Sequence, residues 1–150
     1  MMKRFAVTLA IATALAAGTV GNTTAAAADG EAQASSVSVT ATYTGKGQVD
    51  ASHRVWIWLF DTPDIGPGSM PIAEMSVGKN GDTATFEGVV ADKVWIAVAY
   101  DQGGTMSGSA PPASGSPVGV YASSTGAPQS VTPGDKNPAT LTFDDSQRMP

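Results

Sequence analysis

Residues 53–65 read HRVWIWLFDTPDI, and how this stretch is read decides the fold. Successive side chains of a β-strand point to opposite faces. Trp56, Trp58 and Phe60 therefore share one face, and Val55, Ile57 and Leu59 share the other. A strand with one face in water alternates apolar with polar, which this one does not. Either protein covers both faces, or one face is an aromatic platform for a ligand. VWIAVAYD (94–101) has the same character, with Val94, Ile96 and Val98 against Trp95, Ala97 and Ala99. Strands of this kind sit in the middle of a sheet that is covered on both sides.

Outward from these two segments the chain alternates with a period of two and contains no amphipathic helical pattern. VSVTATYT (37–44) puts Val37, Val39, Ala41 and Tyr43 on one side, and ATLTFD (139–144) does the same with Ala139, Leu141 and Phe143. Both predict half-exposed strands. AEMSVGKNGDTATFEG (73–88) carries two alternating runs around Asn80-Gly81, the pair favoured in a type I′ hairpin turn. The expected register sets Val77 opposite Ala84, Met75 opposite Phe86, and Glu74 opposite Glu87. Met75 is then a core-filling residue. Like charges directly opposite repel, so the Glu74–Glu87 couple implies fraying, a cation held between them, or an acid–base pair. From Asp101 to Pro138 the sequence is rich in Gly, Pro and Ser, with short strands expected around Val118–Tyr121 and Gln129–Val131. Seven or so short strands without helices predict an all-β fold, a seven-stranded β-sandwich over residues 37–146.

The N-terminus is expected to be a cleavable signal peptide, residues 1–28. Lys3 and Arg4 precede the apolar run Phe5–Gly18, and Ala26 and Ala28 supply small residues before Asp29. That predicts a secreted or periplasmic product with no membrane association after cleavage, and a disordered tether at 29–36. Beyond residue 28 six basic residues face thirteen acidic ones, a net charge of −7 that argues against nucleic acid or anionic lipid as partner. The chain has no cysteine, which removes thiol catalysis, disulfides and Cys metal sites.

With VWIWLFD, the Pro71–Ala73 segment, TFEGV (85–89) before VWIAVAYD, and the closing LTFDDS in view, the chain resembles small exported bacterial domains of the transthyretin-like, or prealbumin-like, sandwich type. These include the carboxypeptidase regulatory-like domains, and their fold is also immunoglobulin-like in outline. The resemblance implies a non-catalytic accessory module. One branch of that superfamily hydrolyses 5-hydroxyisourate with His and Arg residues and a C-terminal Tyr-Arg-Gly-Ser. This chain has one His and ends DDSQRMP, so it departs from that pattern.

Nucleophilic catalysis needs a nucleophile, a base and an orienting acid. His53 is the only imidazole, no G-x-S-x-G elbow is present, and Ser76–Lys79 matches S-x-x-K without the partner motifs. No catalytic residue is assigned. One His and no Cys cannot build a zinc or blue-copper site. Asp61, Asp64, Asp101, Asp144 and Asp145 fall at strand ends, where loops can gather carboxylates around calcium, although Asp at such places also caps turns. No other cofactor is implied.

The aromatics remain. With the aliphatic faces inward, Trp56, Trp58, Phe60 and Trp95 share the outer face, a surface on which a glycan or a protein partner could dock. Ala97 and Ala99 leave room there for bulky rings. Burying three Trp side chains is worth on the order of 10 kcal/mol, which favours covering them. The sequence thus predicts an exported β-sandwich that binds or scaffolds. A carbohydrate-binding module with an open Trp face and a hydrolase stand as alternatives, and ligand, pathway and oligomeric state are left open.

Overall fold

The computed structural model describes residues 34–150, and within them every regular element is a strand. The expected signal peptide (1–28) and the tether residues 29–33 lie outside the described residues. The strands are β1 (Ser35–Tyr43), β2 (Val55–Phe60), β3 (Ala73–Val77), β4 (Thr83–Val89), β5 (Val94–Tyr100), β6 (Val118–Val120), β7 (Ser130–Val131) and β8 (Ala139–Phe143). There are eight rather than seven, because both short segments expected within 101–138 form strands. Ser35 and Ser36, which the sequence places in the tether, begin β1.

The strands form two sheets. One has three strands in the order β4-β1-β8, and the other has five, in the order β3-β2-β5-β6 with β7 also on β5. β1 runs parallel to β8 and antiparallel to β4. The two doubly apolar segments are neighbours at the centre of the larger sheet, paired antiparallel with Ile57 opposite Val98 and Leu59 opposite Ile96.

Their aliphatic faces meet the inner face of the smaller sheet. Val37, Val39 and Ala41 of β1, Ala84 and Phe86 of β4, and Leu141 and Phe143 of β8 close on Val55, Ile57, Leu59, Ile96 and Val98 in one buried cluster. Ile57, Leu59 and Ile96 expose none of their surface. Burial of each is worth about 1.5–3 kcal/mol. At one end Tyr43 stacks on Tyr100, ring centroids 4.2 Å apart, and Tyr43 Oη donates to Asp145 Oδ1 at 2.6 Å.

The segment around Asn80-Gly81 departs from expectation. β3 pairs with β2 and β4 pairs with β1, so the two runs lie in different sheets and form no hairpin. A type I′ turn needs two left-handed residues, and here Gly81 alone has positive φ (78°), closed by the Asp82 amide donating to the Lys79 carbonyl at 3.2 Å. The turn is docked instead on the end of β1. The Asn80 side-chain amide donates to the Tyr43 carbonyl (2.7 Å) and accepts from the Tyr43 amide (2.8 Å), imitating a strand backbone, while the Gly81 amide donates to the Ala41 carbonyl. The chain thereby crosses from one sheet to the other. Glu74 lies opposite Trp58, not Glu87, so no carboxylate couple exists there. Met75, expected in the core, is 38% exposed on the edge strand β3, whereas Val77 of the same strand is buried in the core.

Order also continues past residue 146. Arg148 bridges to Pro117, Val118 N donates to the Gln147 carbonyl, and Gly115 and Ser116 exchange main-chain hydrogen bonds with Met149.

Candidate functional site

The outer face of the larger sheet follows from register. Trp56 is opposite Ala99, Trp58 opposite Ala97 and Phe60 opposite Trp95, so each large ring on β2 meets a small residue except at the Phe60–Trp95 pair. The alanines let the rings lie down on the sheet. Trp56 and Trp58 stack with centroids 6.2 Å apart and planes 21° off parallel.

Two loops then cover this face. The 61–72 connection brings Ile65 onto the rings, and the 101–117 segment brings Met106. The second loop is anchored at both ends of its first turn. Asp101, 5% exposed, accepts from the amides of Thr105 (3.1 Å) and Met106 (2.9 Å), which satisfies its charge without a counter-ion. Farther along, Trp58 Nε1 donates to the Gly108 carbonyl at 2.9 Å. Gly108 packs directly under the Glu74 carboxylate, which would have to swing aside for any side chain placed there. Trp58 and Phe60 are consequently buried, at 5% and 6% exposure, while Trp56 and Trp95 are half-buried. Trp56 Nε1 is buried without a hydrogen-bond partner among the described residues.

The cover is not closed. Between the loops lies a cleft of about 610 Å³, floored by Trp58, Phe60, Ala97 and Val118. The 65–71 loop and the Gly108–Pro112 stretch form its walls, and Met149 and Pro150 line it as well. Glu74 and Arg148 are the ionisable side chains in this lining. Clefts of this size and apolarity, with a few polar groups, are the usual shape of small-molecule sites.

A smaller polar cavity of about 170 Å³ lies by the stacked tyrosines, lined by Tyr43, Lys46, Tyr100, Asp145 and Arg148 among others. Burial, followed by the hydrogen bond and charge of Asp145, pushes the Tyr43 pKa up to about 12, and burial raises that of Tyr100 too. The Tyr43 hydroxyl and the Lys46 amide hold Asp145 below the usual carboxylate range, with a smaller contribution from Arg148. The Tyr43 hydroxyl donates to Asp145, the Tyr100 hydroxyl to the Gln48 carbonyl, and the Arg148 guanidinium to Asp145 and the Gly115 carbonyl, so the cavity reads as structural wiring.

The five aspartates are not gathered together. Among the described residues no group of three or more His, Asp or Glu side chains could hold a metal ion. Asp101 and Asp145 are occupied as described, and Asp144 accepts from the Ser146 amide, closing a turn. His53 stands just before β2 with Nδ1 3.2 Å from Asp50 Oδ1, and Asp50 also accepts from the amides of Ser52 and His53. That is a turn built on an aspartate. Those two amides, His53 first, lower the Asp50 pKa. No hydroxyl nucleophile is hydrogen-bonded to the imidazole among the described residues.

The sequence reading missed the cleft, because its walls are two irregular loops whose placement has no periodic signal. A usable sign was present in the Pro/Gly-rich stretches PDIGPGSMP and GSAPP, which flank the doubly apolar strands and carry few charges. No family model matches this chain, and neither curated proteins nor solved structures show a match.

Proposed function

We propose that this chain is an exported, non-catalytic β-sandwich module of transthyretin-like character that binds an apolar ligand in the cleft over Trp58 and Phe60. The cleft itself carries this reading. It places aromatic and aliphatic surface beside a loosely built cover, and it is large enough for a small molecule or two or three apolar side chains of a partner. Glu74 and Arg148 offer one anionic and one cationic contact to orient a ligand that is otherwise apolar. A flat sugar-stacking platform fits less well, because Trp58 and Phe60 keep only 5% and 6% of their surface open. The all-β, two-sheet architecture supports the sandwich assignment, and the N-terminal sequence pattern supports export.

The test is titration of the native chain with anilinonaphthalene sulfonate, alongside Val118→Trp, which fills the cleft floor from β6. Saturable, blue-shifted dye emission that Val118→Trp abolishes, with the fold intact by circular dichroism, is expected. Dye emission that is absent from the native chain, or unchanged in Val118→Trp, would remove the cleft as the binding site.

A further inference from the structure

The two lateral edges of the larger sheet are treated differently. At one end β6 is covered by the chain's own tail, through the Val118 amide to the Gln147 carbonyl (3.0 Å) and the Pro117–Arg148 bridge. At the other end β3 is bare. Among the described residues no strand pairs with the side of β3 that faces away from β2. Alternate main-chain groups along it are left without partners, a template for another strand. Soluble proteins usually blunt such edges with lysine, proline or a bulge. β3 (AEMSV) has no lysine, no proline and a regular five-residue register with β2. Around it cluster exposed apolar side chains, Met70 at 82%, Ile72 at 45% and Met75 at 38%.

We infer that β3 is a homodimer interface, in which two copies of this chain pair their β3 strands antiparallel about a twofold axis through Met75. The sequence of the strand is complementary to itself in that register. Ala73 falls opposite Val77, Glu74 opposite Ser76, and Met75 opposite its own copy. All five residues overlap, and the inward residues Ala73, Met75 and Val77, which pair with Leu59, Ile57 and Val55 within the chain, extend the apolar inner face across the axis. Centring the axis on Glu74 would set that carboxylate against its own copy, a repulsive pair. A half-residue shift would pair inward side chains with outward ones.

Charge selects the same register. The Arg54 guanidinium donates to Ser76 Oγ at 3.3 Å, so Arg54 stands over Ser76 on the outer face. Among the described residues neither Arg54 nor Glu74 has an ion-pair partner. The twofold places Glu74 of each copy opposite Ser76 of the other, within reach of the Arg54 that sits on it. Two ion pairs absent from the single chain thus form across the axis. A closed isologous pair also accounts for a bare edge that does not propagate, since each copy has one such edge in the larger sheet and spends it on the other. This inference rests on the bare edge of β3 and not on ligand binding, although Glu74 lines the cleft as well.

The experiment uses the absence of cysteine from the chain. Residues facing each other across an antiparallel pair have Cα atoms roughly 4.5–5.5 Å apart, within disulfide range. Met75→Cys should therefore cross-link into a covalent dimer under mild oxidation. Ser124→Cys, at an exposed site in the connection after β6, at the opposite end of the larger sheet from β3, should stay monomeric under the same conditions. Sedimentation equilibrium of the unmodified chain should show a dimer. Met75→Lys, which sets two like charges on the axis, should raise its dissociation constant about 100-fold while leaving near-ultraviolet circular dichroism unchanged. Glu74→Arg should weaken the dimer as well, and adding Arg54→Glu should restore it. A monomer at all concentrations, a dimer indifferent to Met75→Lys, or equal cross-linking of both cysteine variants would overturn the inference.

Discussion

Apart from the half-buried Trp56, the two faces of β2 are buried to almost the same extent by different means. Val55, Ile57 and Leu59 expose nothing, and Trp58 and Phe60 expose 5% and 6%. The first set is sealed by a second sheet whose own backbone is paired strand to strand. The second is sealed by two loops, the longer of them held through Asp101 and the Trp58–Gly108 hydrogen bond. Equal burial therefore does not mean equal local stability. Opening the inner layer breaks the fold, whereas opening the outer layer breaks a few loop hydrogen bonds. A site that must admit a ligand belongs on the second kind of surface, and the cleft is found there.

The largest expected effect tests the inner layer. Ile57→Ala removes a side chain of zero exposure from between the sheets and should cost about 2–5 kcal/mol, seen as one cooperative shift in urea unfolding. A cost under about 1 kcal/mol would mean the two sheets do not close on each other as described.

Alkaline titration comes next, and it acts on the same layer at its tyrosine end. The Tyr43 pKa is raised from 10.0 to about 12, so the native state favours the protonated phenol. That stabilisation is present in full below pH 10 and is lost as the pH climbs toward 12. It amounts to about 2–3 kcal/mol. Tyr43→Phe should flatten this fall in stability between pH 10 and 12, and equally steep curves for both proteins would place the titration elsewhere.

Trp58→Phe probes the outer layer. It keeps a ring on the sheet but strands the Gly108 carbonyl, a loss of about 1–2 kcal/mol. The signature should be local, with faster amide exchange in 101–117 and little change in β1, β2 or β5. Uniformly faster exchange would show that the two layers open together and would dissolve the contrast between them.

The smallest effect concerns the crossing that makes two layers possible. Gly81→Ala forces a side chain into φ 78° and should cost about 1 kcal/mol, readable as a lowered melting temperature. A neutral result would mean that the turn tolerates other backbone geometries.

Much of this was legible in the sequence. Both doubly apolar strands, the half-exposed β1 and β8, and the small residues opposite the rings follow from period-two alternation, which backbone geometry imposes on any strand. The segment 73–88 shows where the rule stops. Val77, Ala84 and Phe86 do face one common interior, but a hairpin within one sheet and an arch between two facing sheets give the same alternation. What separates them is Asn80, whose amide caps Tyr43 on a strand 37 residues earlier, and no local pattern carries that information. Met75 was misplaced for a related reason. Alternation assigns it to the inner face correctly, yet it cannot say that its strand is the edge of the sheet, where this side chain stays 38% exposed. The aspartates at strand ends were visible as a set, but they are not gathered together: Asp101 and Asp144 hold their own loop and turn, and Asp145 ties to Tyr43 and Lys46.

The most direct measurement isolates the ring at the heart of the covered face. A chain carrying Trp56→Phe and Trp95→Phe retains Trp58 as its sole tryptophan. Blue-shifted emission that acrylamide quenches poorly is predicted, turning red-shifted and quenchable only when the loop hydrogen bond is lost on unfolding. Red-shifted emission quenched readily in the native state would contradict the covered outer layer, and with it the cleft built on that layer.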